Sequence, residues 1–266
     1  MHRAINDADR PLRVAIVIPA HNEAATIADI AARALAFAPV IVVDDGSDDD
    51  TAGQVRALPV TLLRNERNLG KAATLWRGAM HALEQGAEAV ITLDADGQHD
   101  PNEIPRLLEK AAAHPGAVII AARLRNREAT PAVRLFGNKM ANFWISWAAG
   151  HPIADSQSGF RLYPAEVLRQ VRVRHDHTRC FVFESEILVD AAQRGFGIEH
   201  IETEAIYPAG LRPSHYIPRR DTTAIIRMVA GRLLRRGLDP VALLRSLRLL
   251  PPRRPASLGN AQTRTV

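Results

Sequence analysis

Two carboxylates one residue apart close an apolar run in Val90-Ile91-Thr92-Leu93-Asp94-Ala95-Asp96-Gly97-Gln98-His99-Asp100. The run reads as a strand over residues 88–94. In a parallel sheet the carboxyl ends of strands are where ligands collect, so Asp94 and Asp96 would reach the edge of a site. Two hard oxygen donors there suit Mg²⁺ or Mn²⁺, which favour carboxylate together with a bound phosphate. Taken alone, the D-x-D spacing is more often a solvated turn. Lys71 follows Asn68-Leu69-Gly70 at a predicted helix start, where a phosphate is well received. Asp155 is a candidate general base, with Glu184 and Glu186 behind it, although those two glutamates also suit the first turn of a helix. His175-Asp176-His177 reads as an exposed loop rather than a metal cluster.

These groups must be positioned by an alternating α/β framework. Apolar runs predict strands over residues 13–18, 40–43, 60–64, 88–94 and 117–121. Between them, Ile27, Ile30, Ala31, Ala34 and Leu35 share one face of a helix that Asn22 would cap. A second helix over residues 71–85 puts Leu75, Trp76, Ala79, Met80 and Leu83 on one stripe. Asp100, Pro101 and Glu103 read as N-cap, first helical residue and capping-box partner of another. Such alternation predicts a parallel sheet, and the segments Pro19 to Glu23, Asp44 to Ser47 and Asp94 to Gln98 then share one edge. Carboxylates, amides and turn residues there suit a nucleotide and a metal-bridged diphosphate. The first strand end lacks the glycines of a dinucleotide-binding turn, and Asn68 to Lys71 lacks the spacing of a Walker A loop.

Composition narrows the partners. The 266 residues carry 47% hydrophobic and 24% charged side chains and one cysteine, Cys180, so no internal disulfide forms and a reducing compartment is expected. No apolar run approaches the length of a spanning helix, and an N-terminus with Asp7 and Asp9 lacks the apolar core of a signal peptide. From residue 211 onward there are twelve Arg, no Lys and two Asp, a balance of +10 that leaves −5 for the rest of a chain whose total is +5. Ile225, Ile226, Met228, Val229, Leu233, Leu234 and Leu238 interleave with Arg227, Arg232, Arg235 and Arg236, and residues 241–250 repeat the style. This predicts basic amphipathic helices lying in a membrane interface. No recognition module accompanies the charge, so nucleic acid is not expected. Trp144 and Trp147, on a helix-like apolar stretch, would pack or face lipid.

Five ordered segments carry a resemblance: Ile16-Val-Ile-Pro-Ala-His-Asn-Glu23, Val42-Val-Asp-Asp-Gly-Ser47, Asn68-Leu-Gly-Lys71, Leu93-Asp-Ala-Asp-Gly-Gln-His99 and Asp155-Ser-Gln-Ser-Gly-Phe-Arg161. Over residues 12–208 the chain resembles family 2 glycosyltransferases of the GT-A fold, nearest the dolichyl/polyprenyl-phosphate sugar synthase branch. It departs at Gln157-Ser158, where that family often has Thr-Ser. The resemblance implies inverting transfer from a nucleotide-sugar, assisted by a divalent cation. By position, Pro19, Ala20, Glu23 and Asp45 resemble base and ribose contacts, Lys71 and Asp94 further nucleotide contacts, and Asp94, Asp96 and Gln98 the metal–diphosphate group. Arg123, together with Arg134 and Asn138, matches the region that binds an acceptor phosphate, a task suited to a guanidinium fork.

The expectation is therefore an α/β enzyme of the GT-A type, a mostly parallel sheet flanked by helices. A glycosyltransferase domain would span residues 1–210, with a nucleotide-sugar half over 12–122 and an acceptor half over 123–210. A basic helical tail over 211–254 and a disordered end over 255–266 would follow. The enzyme would act at the cytosolic face of the cell membrane, touching it through residues 222–250. The acceptor would be a lipid phosphate, or a hydroxyl with Asp155 as base. A nucleotide-sugar-binding regulatory module is the non-enzymatic alternative, opposed by the intact Asp94, Asp96 and Asp155.

Overall fold

The computed structural model describes residues 12–126, 132–173, 182–206 and 218–251, apart from the side chains of 132–134 and 218–221. His175-Asp176-His177, Cys180, the side chain of Arg134 and the end over 255–266 lie outside what is described.

In chain order the elements are β1 (Val14–Ala20), α1 (Ile27–Ala34), β2 (Val40–Asp44), α2 (Thr51–Gln54), β3 (Thr61–Arg64), α3 (Lys71–Glu84) and β4 (Ala89–Thr92). A 3-10 turn (Pro101–Glu103) leads into α4 (Ile104–Ala113), then β5 (Val118–Arg123), α5 (Ala132–Ala149), β6 (Arg161–Pro164), α6 (Ala165–Gln170), α7 (Val182–Gln193), β7 (Ile198–Thr203), α8 (Pro218–Arg235) and α9 (Pro240–Ser246). The strands form one seven-stranded sheet in the order β3-β2-β1-β4-β6-β5-β7.

β1 runs parallel to β2, with Ile16 opposite Val40 and Ala20 opposite Asp44, and parallel to β4, with Val14 opposite Ala89. β6 alone runs against its neighbours, setting Arg161 opposite Thr92 of β4 and Ile120 of β5. β5 therefore points the same way as β4, and its last residue, Arg123, reaches the edge that holds Asp94. Pro19 stands inside a central strand although it has no N–H to give. The β1–β4 register ends at Val17 and Thr92, so no β4 carbonyl waits for that donor.

Period-two alternation sends side chains to two apolar layers. Val17, Val43, Val90 and Ile120 pack with Leu75 and Ala79 of α3, Ile145 of α5 and Ile187 of α7. Ile16, Ile18, Val42 and Ile91 pack on the other side with Ile27 and Ile30 of α1 and Ile104 and Leu107 of α4. Each such fully buried side chain contributes about 1.5–3 kcal/mol.

Three local expectations are corrected. Asn22 does not cap α1, whose N-cap is Thr26. It adopts φ +59° and its side-chain oxygen accepts from the Asp48 and Asp49 amides at 2.8 and 3.3 Å, joining two site loops instead. Asp100 does cap, accepting from the Asn102 amide at 3.0 Å, but Glu103 closes no capping box and pairs with Arg106 and Arg125. Finally, the apolar side of α8 is turned inward: Ile225, Met228, Val229 and Leu233 belong to the same core layer as α5 and α7.

Candidate active site

Asp94 and Asp96 follow β4 at the carboxyl edge of the sheet. Lys71, the first residue of α3, holds its ammonium 2.7 Å from Asp94 Oδ1 and 3.1 Å from Glu184 Oε1. Burial would lower the Lys71 pKa, but the two carboxylates outweigh it and raise it, so the charge is permanent. Burial acts on Asp94 in the opposite sense and is overcome chiefly by Lys71, with Arg123 in support, which keep it ionised. Asp96 differs. Burial and then the neighbouring Asp94 charge raise its pKa, against the Gln98 amide, which donates to it at 3.0 Å.

The chain makes room for Asp94 by omitting a side chain. A Cβ at position 159 would lie 2.3 Å from Asp94 Oδ2. Thr92 Oγ1 donates to the Gly159 carbonyl at 2.7 Å and Ser158 Oγ to the Ala121 carbonyl at 2.7 Å, so β4 and β5 hold this glycine against the carboxylate.

The first two strand ends are laced together. The Asp45 amide donates to the Ala20 carbonyl at 2.8 Å, the Asn22 amide to Ser47 Oγ at 2.9 Å and the Glu23 amide to Thr51 Oγ1 at 2.8 Å. Asp45 itself is buried and accepts from Asn65 Nδ2 at 2.7 Å and from the Leu69 and Gly70 amides at 2.8 and 2.9 Å. Its carboxylate thus orders the loop that presents Lys71. Gly46, at φ +63°, lets that loop pass: a Cβ there would meet the Arg67 backbone at 2.5 Å.

Arg123 and Asp155 form a fork. Arg123 Nε lies 2.9 Å from Asp155 Oδ2 and its terminal nitrogen 3.2 Å from Oδ1, while the Arg123 and Gln157 amides donate to the same carboxylate. Burial would raise the Asp155 pKa; the Arg123 charge and these donors take it down to about 2. A carboxylate so satisfied is a weak base. The charge of Arg123 acts to lower the pKa of Asp94, Asp96 and His99, so its field is felt at the paired carboxylates. Arg134 sits in the first turn of α5, and nothing further is described of it.

Two residues matter more than their sequence context announced. Arg161 is fully buried and bridges the Ser156 carbonyl at 2.9 Å, the Glu184 carbonyl at 2.6 Å and the Tyr163 hydroxyl at 3.0 Å. It brackets the Asp155 loop to the start of α7. Glu184 turns out to be the second partner of Lys71. Glu186 faces away, toward Arg232 of α8 at 3.3 Å. His99, packed edge-on against Phe160, is pushed down to about 4 by burial and then by Arg123, so it is neutral near pH 7.

The donor set fits a divalent cation. Two carboxylates share a half-open strand end, and Asp96 makes no ion pair among the described residues. No cluster of three His, Cys, Asp or Glu occurs among the described residues, so a cation would complete its shell with ligand oxygens, as Mg²⁺ and Mn²⁺ do.

The sheet, its strand order and these carboxylates on one edge define a GT-A-type α/β glycosyltransferase. Residues 15–172 match Glycosyl transferase family 2, well over half of the chain, and the chain belongs to that family. A UDP-N-acetylglucosamine–dolichyl-phosphate N-acetylglucosaminyltransferase of Methanococcus voltae is 27% identical over 218 residues, covering 72% of this chain and 85% of that protein. A polyprenol monophosphomannose synthase of Mycolicibacterium smegmatis is 29% identical over 205 residues, covering 71% and 76%. Among solved structures, glucosyl-3-phosphoglycerate synthase from Mycobacterium tuberculosis, in complex with Mn²⁺, uridine-diphosphate and phosphoglyceric acid, superposes with a TM-score of 0.60 at 21% identity. The match covers 86% of this chain and 80% of that one. That likeness is one of fold.

Proposed function

We propose that this glycosyltransferase moves a sugar, with inversion, from a nucleotide-diphosphate sugar to a lipid-linked phosphate of the polyprenyl type at the cytosolic membrane face. The observation that carries the reading is the shared sheet edge: Lys71 holds Asp94 at 2.7 Å beside Asp96, and Arg123, the last residue of β5 on that edge, is braced by Asp155 at 2.9 Å. The relatives from Methanococcus and Mycolicibacterium, named for dolichyl-phosphate and polyprenol monophosphate chemistry, support the acceptor class.

In this reading residues 12–122 serve the donor and residues 123–210 the acceptor. Pro19, Ala20, Glu23 and Asp45 line the base and ribose side. Asp94, Asp96 and Gln98 hold a divalent cation, Mg²⁺ or Mn²⁺. When bound, that cation supplies charge stabilisation at the departing diphosphate. Lys71 serves the same anion: its ammonium is fixed at the donor end by Asp94 and Glu184. Arg123 orients the acceptor phosphate, with Arg134 as a second contact. A phosphate acceptor is already an anion and needs no strong base, which agrees with an Asp155 committed to Arg123 rather than free to take a proton.

Peripheral membrane contact belongs to the same proposal and draws support from exposed apolar side chains on α5 and α9: Phe136, Met140, Trp144, Val241, Leu244 and Leu247. No described helix is long and apolar enough to cross a membrane.

The test is transfer read by mass spectrometry, offering nucleotide-sugars with a short-chain polyprenyl phosphate or with the matching free polyprenol. Product from the phosphate alone, loss of product in EDTA and a drop of about 100-fold or more for Asp96→Ala are expected. Product from the free alcohol, or full turnover in EDTA, refutes the respective half of the proposal.

A further inference from the structure

Lys71 occupies a position that a metal ion would contest. Its ammonium lies 2.7 Å from Asp94 Oδ1, so one oxygen of the carboxylate pair already faces a positive charge. The same ammonium lies 3.1 Å from Glu184 Oε1. Glu184 is buried, and Lys71 is its one ion-pair partner among the described residues.

Both walls around this lysine are fixed. On one side the fully buried Arg161 donates to the Glu184 carbonyl at 2.6 Å. On the other, the Asp45 carboxylate accepts from the Gly70 amide at 2.9 Å and so holds the start of α3. Between them a flexible four-carbon stem carries the charge. Rotation of its terminal torsions takes the ammonium off Asp94 while Glu184 keeps it, and α3 need not move.

The charge balance says what such a movement would serve. Asp94, Asp96 and Glu184 are three carboxylates against the one ammonium of Lys71, while Arg123 and Asp155 neutralise each other. The two negative charges left over match one divalent ion. That ion and Lys71 cannot share Asp94 Oδ1, because like charges at contact distance repel strongly. A displaced, mostly buried ammonium is costly without a partner, and Glu184 is the partner within reach.

We propose that Lys71 is the resident counter-ion of Asp94 and exchanges with the divalent cation, giving up Asp94 and staying on Glu184. The inference rests on the assignment of Asp94 and Asp96 to that cation. Glu184 is then a positioning residue that acts through Lys71, and not a general base. A cation offered without nucleotide meets an Asp94 that is already engaged, and binds weakly for that reason.

The test is titration of the full chain with Mn²⁺ alone, followed by the electron paramagnetic resonance signal of the free ion. Lys71→Met combined with Glu184→Gln removes one charge of each sign, so the net charge of the site is kept and only the competitor is lost. Exchange predicts that this double variant binds Mn²⁺ about tenfold more tightly than the wild type, whereas a general field effect predicts no change. Glu184→Gln alone leaves the ammonium wholly on Asp94 and should weaken Mn²⁺ binding about tenfold. Circular dichroism should match the wild type in both. A double variant with no gain in affinity overturns the exchange while Asp96→Ala still weakens binding, and the cation assignment then stands. Mn²⁺ binding that Asp96→Ala leaves unchanged removes the cation from this edge, and the exchange with it. Wild-type affinity in Glu184→Gln overturns the part given to Glu184.

Discussion

At single residues of the site burial and charge pull in opposite directions, and at Asp155 charge prevails. Its spacing before Ser-Gln-Ser-Gly-Phe marked it as chemically interesting, and its type allowed a general base. The sequence could not disclose that Arg123, 32 positions away, closes a two-pronged pair on it. Pairing of that kind depends on where two strands end, which no local pattern encodes. The consequence is measurable. Asp155 has a folded pKa of about 2, below the ordinary carboxylate value of 3.8. Its contribution to stability is therefore complete above pH 3.8 and is lost as pH falls from there toward 2. The shift corresponds to about 2 kcal/mol. Asp155→Asn should reduce the unfolding free energy by about that much at pH 7, with the gap to wild type closing below pH 3.8. Denaturant titrations at pH 7 and pH 3 check it. A gap that persists at pH 2 would mean that lost packing, not lost charge, accounts for the variant. The same variant should raise KM for a phosphate acceptor more than it lowers kcat, because Arg123 loses its brace.

At the scale of elements, the regions that alternate apolar and helical patterns were legible: β1 to β5, α1 and α3 stand within a few residues of their expected places. β6 and β7 were not. β6 is four residues long, begins with an arginine and ends with a proline, so it carries no apolar run to detect. Its strand identity comes from neighbours on both sides, and it runs against them because it returns from the Asp155 loop straight into the sheet. That return is what carries Gly159 to Asp94. Gly159→Ala is thus a test of the element and not only of the residue. An added Cβ 2.3 Å from a carboxylate oxygen forces either Asp94 or the β6 entry to move. Because both ends of the loop are pinned by Thr92 and Ser158, the side chain should yield first. Transfer should fall about tenfold to 100-fold, a cost in keeping with misplacement of a site group by about 1 Å, while circular dichroism stays unchanged. A variant with normal turnover would show that the close packing of Gly159 is incidental to catalysis.

At the scale of the whole molecule, the C-terminal segment is where the sequence reading needed most revision. Interleaved arginines and aliphatics over residues 222–250 suggested one continuous membrane-lying tail. Periodicity shows that such a helix has an apolar side but not what that side meets. In the structure, Ile225, Met228, Val229 and Leu233 of α8 close the core over α5 and α7. Four buried side chains at about 1.5–3 kcal/mol each come to roughly 6–12 kcal/mol, comparable to the entire stability of an ordinary domain. Removing residues 218–266 should therefore leave a chain that unfolds or aggregates, rather than a soluble enzyme freed of its anchor. The surface proposed for lipid lies elsewhere. α9 exposes Val241, Leu244 and Leu247, and α5 exposes Phe136, Met140 and Trp144. The two helices are joined where Trp147 Nε1 donates to the Asp239 carbonyl at 3.1 Å and stacks on Trp144 with ring centroids 5.5 Å apart. Tryptophan and leucine beside arginine are the residues that partition into a bilayer interface. Trp144→Ser with Leu244→Ser and Leu247→Ser removes partly exposed apolar side chains and the stack on Trp147, so the melting temperature should fall by a few degrees while the fold is kept. Sedimentation with anionic vesicles should fall several-fold, and the binding that remains should be abolished by high salt, which screens the arginines and spares apolar contacts. Wild-type sedimentation by the triple variant, or a chain cut before residue 218 that melts like the intact protein, would reverse the assignment and return the membrane contact to α8.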